Sequence, residues 1–196
     1  MPANNVTYYA QWTINSYTFT LGSCTGATTT GSTASGSKNY NTTITLKATA
    51  STGYTWSKWV SSNTSLVANK TAASTTFSMP AGNITMTPSV TANTYSIKYN
   101  GNGNTGGSMS NSSHTYGTSK ALSANGFTKA GYEFIGWATT ATGEVAYTDK
   151  QSVKNLSSTQ GATVNLYAIW KPLSQMFIWK DGQWHRALRY VYDTTQ

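Results

Sequence analysis

The stretch Gly131-Tyr132-Glu133-Phe134-Ile135-Gly136-Trp137 decides how this chain is read. It begins with a Gly-Tyr, continues in strand-like fashion and stops at a Gly-Trp. The same plan stands 78 residues earlier, as Gly53-Tyr54-Thr55-Trp56-Ser57-Lys58-Trp59. Met79-Pro80-Ala81-Gly82-Asn83-Ile84-Thr85 follows Met1-Pro2-Ala3-Asn4-Asn5-Val6-Thr7 at that interval, and Tyr95 follows Tyr17. A long period that holds at three separate places is a repeat array, and it sets the element boundaries before any local motif does.

Each unit closes on one landmark: Tyr8-Tyr9-Ala10-Gln11-Trp12, then Met86-Thr87-Pro88-Ser89-Val90, then Leu166-Tyr167-Ala168-Ile169-Trp170. The middle copy has lost the tryptophan. The last copy needs two extra residues to align, near Gln160-Gly161. Residues 1–12 therefore read as the last strand of a unit whose body is missing. Residues 13–92 and 93–171 read as complete units, and 172–196 as a separate tail. The chain reads as a piece of a longer protein.

A chain of 196 residues allows one or two domains. Units of roughly 80 residues fold with thin cores. Only 9% of residues are charged, while Ser, Thr, Asn, Gly and Tyr abound. That composition is β-rich, and recurrent Tyr, Trp and Ile at strand spacing separate it from disorder. Cys24 is alone, so no internal disulfide forms. No apolar run reaches membrane length, and no signal peptide is visible. The net charge of +8 comes from scattered lysines. Nucleic-acid binders cluster their cations on one face, so nucleic acid is not an expected partner.

Period-two alternation places strands at Tyr17–Leu21, with Phe19 inward, at Thr43–Ala48, with Ile44 and Leu46 inward, and at Tyr54–Trp59. Residues 22–39 read as a polar loop. Thr75–Met79 and Ile84–Val90 close the first unit across the Pro80/Gly82 turn. In the second unit Tyr95–Tyr99 runs into Asn100-Gly-Asn-Gly-Asn-Thr-Gly-Gly107, which suits turns of positive φ. No Gly-Lys-Ser/Thr follows, so it is not a phosphate loop. His114–Gly117 with Ala121-Leu122 predicts a second strand, Tyr132–Trp137 a third and Val164–Trp170 the last. A short helix or 3₁₀ turn is expected near residues 151–157.

The runs Tyr95-Ser-Ile-Lys-Tyr-Asn-Gly-Asn-Gly, Lys129-Ala-Gly-Tyr-Glu-Phe-Ile-Gly-Trp137 and Asn165-Leu-Tyr-Ala-Ile-Trp170 resemble the internalin B-type, or Listeria–Bacteroides, repeat. Residues 13–92 resemble its divergent form. The resemblance implies a mainly β fold of tandem small β-grasp-like modules, carried by extracellular bacterial or phage proteins as stalk or adhesion segments. It brings no catalytic residues with it.

In the tail, Asp181-Gly182 separates two aromatic, β-prone runs, which predicts a hairpin with a type I′ turn. Tyr190-Val-Tyr-Asp193 echoes Phe177-Ile-Trp-Lys180. Short aromatic hairpins of this kind resemble terminal segments of phage tail proteins and, more loosely, aromatic cell-wall-binding repeats. Trp179, Trp184, His185, Arg186, Tyr190 and Tyr192 are the expected recognition or assembly residues, because so short a segment cannot bury its own rings. Tyr54, Trp56, Trp59, Tyr132, Phe134, Trp137 and Trp170 recur by position and are the expected repeat core.

Residues 1–92 contain no Asp, Glu or His, so that unit cannot supply a carboxylate pair, a catalytic triad or a histidine metal site. His114 and His185 read as isolated, exposed residues. Glu144 and Asp149 flank a loop but do not make the dense oxygen array that calcium needs. The expectation is a non-enzymatic protein without cofactor or metal, serving as stalk and adhesion segment of a bacterial surface protein. Its expected partner is a protein or glycan receptor on a cell surface. The alternative is a tail or fibre component of a phage virion, bound to other virion subunits. Self-association through the tail is expected, and membrane insertion is not.

Overall fold

The computed structural model describes residues 7–174 and 176–187. Among them there is no helix, and none of the elements is a helix long and apolar enough to cross a membrane. Two compact units emerge. The first runs to Tyr95 and takes in Thr115–Thr118 and Asn155–Ala162; the second holds Ser96–His114, Ser119–Lys154 and the chain from Thr163 on.

In the first unit the strands are β1 (Ser16–Leu21), β2 (Ala27–Thr28), β3 (Gly36–Asn39), β4 (Thr43–Lys47), β5 (Thr49–Ala50), β6 (Tyr54–Ser61), β7 (Ser74–Ser78) and β8 (Ile84–Ala92). The main sheet has the order β3-β1-β8-β6. Its central pair, β1 and β8, is parallel. Parallel neighbours need a crossover, usually a helix. Here the crossover is built from strands instead, and β4 and β7 pair into a separate antiparallel ribbon. Alternation does the packing. Ile44 and Leu46 share one face of β4 and are fully buried against Phe19, Trp59, Met79, Ile84 and Met86. Val67, from the connection between β6 and β7, joins them.

Two features of this unit differ from the sequence reading. Residues 22–39 are not all loop, because β3 pairs along β1 as an edge strand. It carries no apolar residue, so its pairing is made by backbone and by Ser16 Oγ donating to Asn39 Oδ1 at 2.8 Å. A strand that buries no side chain leaves no hydrophobic period to read. The second difference lies in β6. Strict alternation would put Trp56 and Trp59 on opposite faces, since they are three apart. A bulge between Trp56 and Lys58 opposite β8 shifts the register. The two indoles then meet edge to face at 5.6 Å.

Pro88 sits inside β8, where proline is normally excluded. Gly22 donates to the Met86 carbonyl, so Met86 faces the β1 side. Pro88, two residues on, faces that side too, and the β1 pairing has already stopped at Leu21↔Met86. The missing N–H costs no ladder bond.

Asn93 is the polar hub of the unit and is buried, at 7% exposure. Its Oδ1 accepts from Thr55 Oγ1 at 2.6 Å, and its Nδ2 donates to the Ser158 carbonyl at 2.7 Å. Its backbone N–H donates to the Gly53 carbonyl, and its carbonyl accepts from the Tyr116 N–H, both at 2.8 Å. Beside it the Tyr54 and Tyr116 rings meet edge to face at 5.9 Å. A Cβ at Gly53 would overlap the Tyr116 ring, which explains a Gly-Tyr at this corner.

The second unit repeats the plan with β9 (Thr94–Asn100), β10 (Gly106–Gly107), β11 (Ser112–Thr115), β12 (Lys120–Ala121), β13 (Phe127–Thr128), β14 (Tyr132–Ala138), β15 (Ser152–Val153) and β16 (Thr163–Pro172). The sheet order is β11-β9-β16-β14, with β9 and β16 parallel. The bulge recurs at the same place, between Phe134 and Gly136, and again brings ring against ring, Phe134 on Trp137 at 4.9 Å. The run from His114 to Leu122 is two strands, β11 and β12, broken by the turn at Gly117, whose φ is +80°. The expected helical turn near 151–157 is instead β15, paired with β12 and burying Val153.

The Asn/Gly run does more than turn. Asn102 and Gly103 do have positive φ. β9 ends at Asn100, but β16 continues, leaving carbonyls without strand partners. Side-chain amides take over the ladder. Asn100 Nδ2 donates to the Leu166 carbonyl at 3.1 Å, and Asn102 Nδ2 to the Ala168 carbonyl at 2.9 Å and to Ala141 at 2.8 Å. In return Trp170 Nε1 donates to the Gly101 carbonyl at 2.9 Å. Asn102→Ala is therefore expected to lower the stability of the second unit by about 1–3 kcal/mol. Urea unfolding followed by tryptophan fluorescence checks this, and an unchanged midpoint would contradict it.

Candidate recognition surface

The tail folds as a hairpin of β17 (Met176–Lys180) and β18 (Gln183–Ala187). Asp181 and Gly182 have φ of +53° and +76°, the pair of left-handed conformations that a two-residue type I′ turn requires. This register sets Trp179 directly opposite Trp184 and Phe177 opposite Arg186. The two indoles meet edge to face at 5.2 Å. They cover each other only in part: Trp179 stays 60% exposed, Trp184 68% and Phe177 50%. A shallow, open depression lies between Phe177 and Trp184. An isolated two-stranded hairpin is marginal in water, and this cross-strand aromatic pair adds to its stability. Phe177 was not among the expected residues. Its signal was its place two residues before Trp179, on the same face of the strand. Tyr190 and Tyr192 lie outside the described residues, as do the side chains of His185 and Arg186.

The expected core residues divide. Trp59 and Trp137 are fully buried, and Tyr54, Trp56, Phe134 and Trp170 are partly buried. Tyr132 departs from the expectation: it is 40% exposed, with Lys129 Nζ 4.6 Å from its ring centre. Its counterpart Tyr54 is covered by Tyr116; Tyr132 has a lysine there instead.

His114 also departs from its reading as an exposed residue. It is 1% exposed on β11. Its Nε2 lies 3.0 Å from Ser112 Oγ, which lies 3.0 Å from the Tyr99 hydroxyl, and Tyr99 in turn accepts from the Ser123 N–H at 2.8 Å. This chain ties β9 to β11 and to the loop after β12. A serine–histidine pair invites a catalytic reading, but a fully covered imidazole offers no face to a substrate. Burial, and secondarily the Lys120 charge, holds the imidazole below its ordinary 6.5. The folded state therefore keeps His114 neutral while the unfolded chain takes up a proton, so the contribution is complete above pH 6.5 and is lost as pH falls below it. Urea midpoints should drop between pH 7.5 and 5, and His114→Gln should flatten that slope. An equal slope in both proteins would remove His114 as its cause.

Among the described residues no group of three or more His, Cys, Asp or Glu lies together. The Asp149 carboxylate accepts from the Asn125 N–H at 2.9 Å, and Glu133 is exposed on β14.

Residues 95–169 match the Listeria-Bacteroides repeat domain, and residues 17–94 match the Divergent InlB B-repeat domain. The chain is a tandem of B-type repeats. The typical copy carries the Asn/Gly ladder and the closing Trp170, while the divergent copy has Gly22-Ser23-Cys24-Thr25 after its first strand and Val90 at the closing position. No curated protein matches the chain. Repeats of this family typically occur in extracellular surface proteins and are typically non-catalytic modules.

Proposed function

We propose that this B-repeat chain is a non-enzymatic stalk and adhesion segment of a bacterial surface protein, with the β17–β18 hairpin as its recognition element. The observation that carries the reading is the exposure of Phe177, Trp179 and Trp184 together on one small sheet. Rigid aromatic rings lose little entropy on binding and are favoured at recognition hot spots. The repeats suit a spacer because their polar faces rely on hydroxyls and amides, with few charges to attract stray partners.

The test is binding of the whole chain to a glycan array and to intact host cells, beside a Trp179→Ala/Trp184→Ala variant. The expected result is wild-type binding that falls at least about tenfold in the variant, the equivalent of about 1.4 kcal/mol. The melting of the repeats should stay unchanged. Wild-type binding that survives the double substitution would overturn the hairpin as the recognition element. No binding by the wild type to any surface would overturn the adhesion role.

A further inference from the structure

We infer that each B-type copy is built to resist tension along the chain, and that in the typical copy Asn100, Asn102 and Trp170 form the clamp that does so. Topology carries the first half. In each copy the first and last strands of the main sheet are parallel neighbours at its centre, β1 beside β8 and β9 beside β16. The chain enters a copy at the start of one strand and leaves at the end of the other. Those points lie at opposite ends of the pair. Tension on the polypeptide therefore slides the two strands past each other. The evenly spaced bonds of a parallel ladder are then loaded together. An antiparallel pair pulled at one end gives way bond by bond.

Side chains carry the second half. The β9–β16 ladder runs from Ser96↔Thr163 to Asn100↔Tyr167. The same seam continues through side chains: Asn100 Nδ2 to the Leu166 carbonyl, Asn102 Nδ2 to the Ala168 carbonyl and Trp170 Nε1 to the Gly101 carbonyl. All three join the first-strand side to the last strand, so each lengthens the zone that must be sheared. Trp170 is also held from its other side, where its ring packs on Phe134 at 5.7 Å. In the divergent copy the ladder runs only from Phe19↔Ile84 to Leu21↔Met86, and the Gly22 N–H adds a bond to the Met86 carbonyl. Gly22-Ser23-Cys24-Thr25 then brings no amide side chain, and Val90 has no N–H to give. Its seam has a side-chain bond at the opposite end, from the Thr18 N–H to Asn83 Oδ1 at 2.8 Å. The typical copy is accordingly the stronger of the two along the chain.

This deepens the stalk half of the proposed function and rests on it for its purpose. A pulling measurement involves neither the hairpin face nor a receptor, so failure of adhesion and failure of the clamp are read separately. Forced unfolding also follows the unfolding barrier and not the equilibrium stability.

The experiment tethers the whole chain, with Cys24→Ser, in an optical trap through cysteines at exposed positions. Thr94→Cys with Ser174→Cys loads β9 against β16 along their length. Ala130→Cys with Ser174→Cys, just outside the facing residues Tyr132 and Pro172, peels β14 from β16 at its end. Unfolding in the first geometry should need at least about twice the force of the second, because a ladder loaded together shares the tension. A length gain of roughly 20–25 nm identifies that event, from the extended length of the released chain. Asn102→Ala should lower the first force and leave the second unchanged. Trp170→Phe keeps the ring and removes the N–H; it should do the same, and it decides the matter if Asn102→Ala does not fold. Equal forces in the two geometries would overturn the shear seam. A drop shared equally by both geometries, or no drop in either, would overturn the clamp.

Discussion

Trp137→Ala is expected to cost the second unit about 3–5 kcal/mol, the range for emptying a large aromatic site in a core. For a small repeat that is a large part of its whole stability. Trp137 is fully buried and is the ring on which the others converge: Tyr99 at 4.9 Å, Phe134 at 4.9 Å and Phe127 at 6.3 Å. Three rings cannot all relax into one vacancy. The backbone at this position is also pinned, since Trp137 donates to the Tyr147 carbonyl at 2.8 Å and accepts from Ala146 and Tyr147. Trp59 repeats the arrangement with Lys70. Calorimetry of the variant should show the transition of the second unit lost or moved down by ten degrees or more, by the usual conversion for a domain of this size. A transition within about two degrees of wild type would show that the ring cluster does not organise the unit.

Asn93→Ala is the second large expectation, at about 1–3 kcal/mol. The side chain satisfies two partners inside the first unit, Thr55 Oγ1 and the Ser158 carbonyl. Truncation removes both bonds; exposed Thr55 can turn to water, while the half-buried Ser158 carbonyl loses its amide donor. Asn93→Asp separates hydrogen bonding from volume. It keeps an acceptor for Thr55 but sets a carboxylate against the Ser158 carbonyl, so it should be at least as damaging at neutral pH. If Asn93→Ala leaves the urea midpoint unchanged, the hub is decorative. If Asn93→Asp is tolerated while Asn93→Ala is not, the site is a matter of packing.

Much of this architecture was legible because the repeats report one another. Phe19, Ile44 and Leu46 alternate cleanly, and their strands lie where that pattern puts them. The type I′ turn at Asp181-Gly182 was visible because few other residues tolerate two successive left-handed conformations. What could not be read has physical causes. β3 buries nothing, so its pairing with β1 leaves no mark in the residues. The β6 and β14 bulges change which rings share a face, and a period-two reading runs straight through them. His114 is covered because β11 packs inward at that point, and an isolated histidine carries no periodic partner to announce it. Asn100 and Asn102 looked like turn formers, which they are. Their second task, completing the ladder of a longer neighbour, depends on a mismatch of strand lengths that appears only in three dimensions. In the hairpin, the expected Trp179 and Trp184 do come together, and Phe177 joins them through simple alternation.

The first unit draws its last contacts from far along the chain. Its hub needs the Tyr116 amide and the Ser158 carbonyl, and Tyr95 accepts a hydrogen bond from the Leu156 N–H at 3.2 Å. A polypeptide delivered N-terminus first presents every main-sheet strand of that copy, and even the hub asparagine itself, well before these groups arrive. Order of emergence and order of completion therefore diverge: the earlier copy is finished by its successor. In a chain halted at Lys154, Asn93 should lack the Ser158 bond and its amide should exchange faster than in the whole protein. Protection already complete at that length would show that the earlier copy closes unaided. In this tandem the arrival of the second copy is thus the step that completes the first.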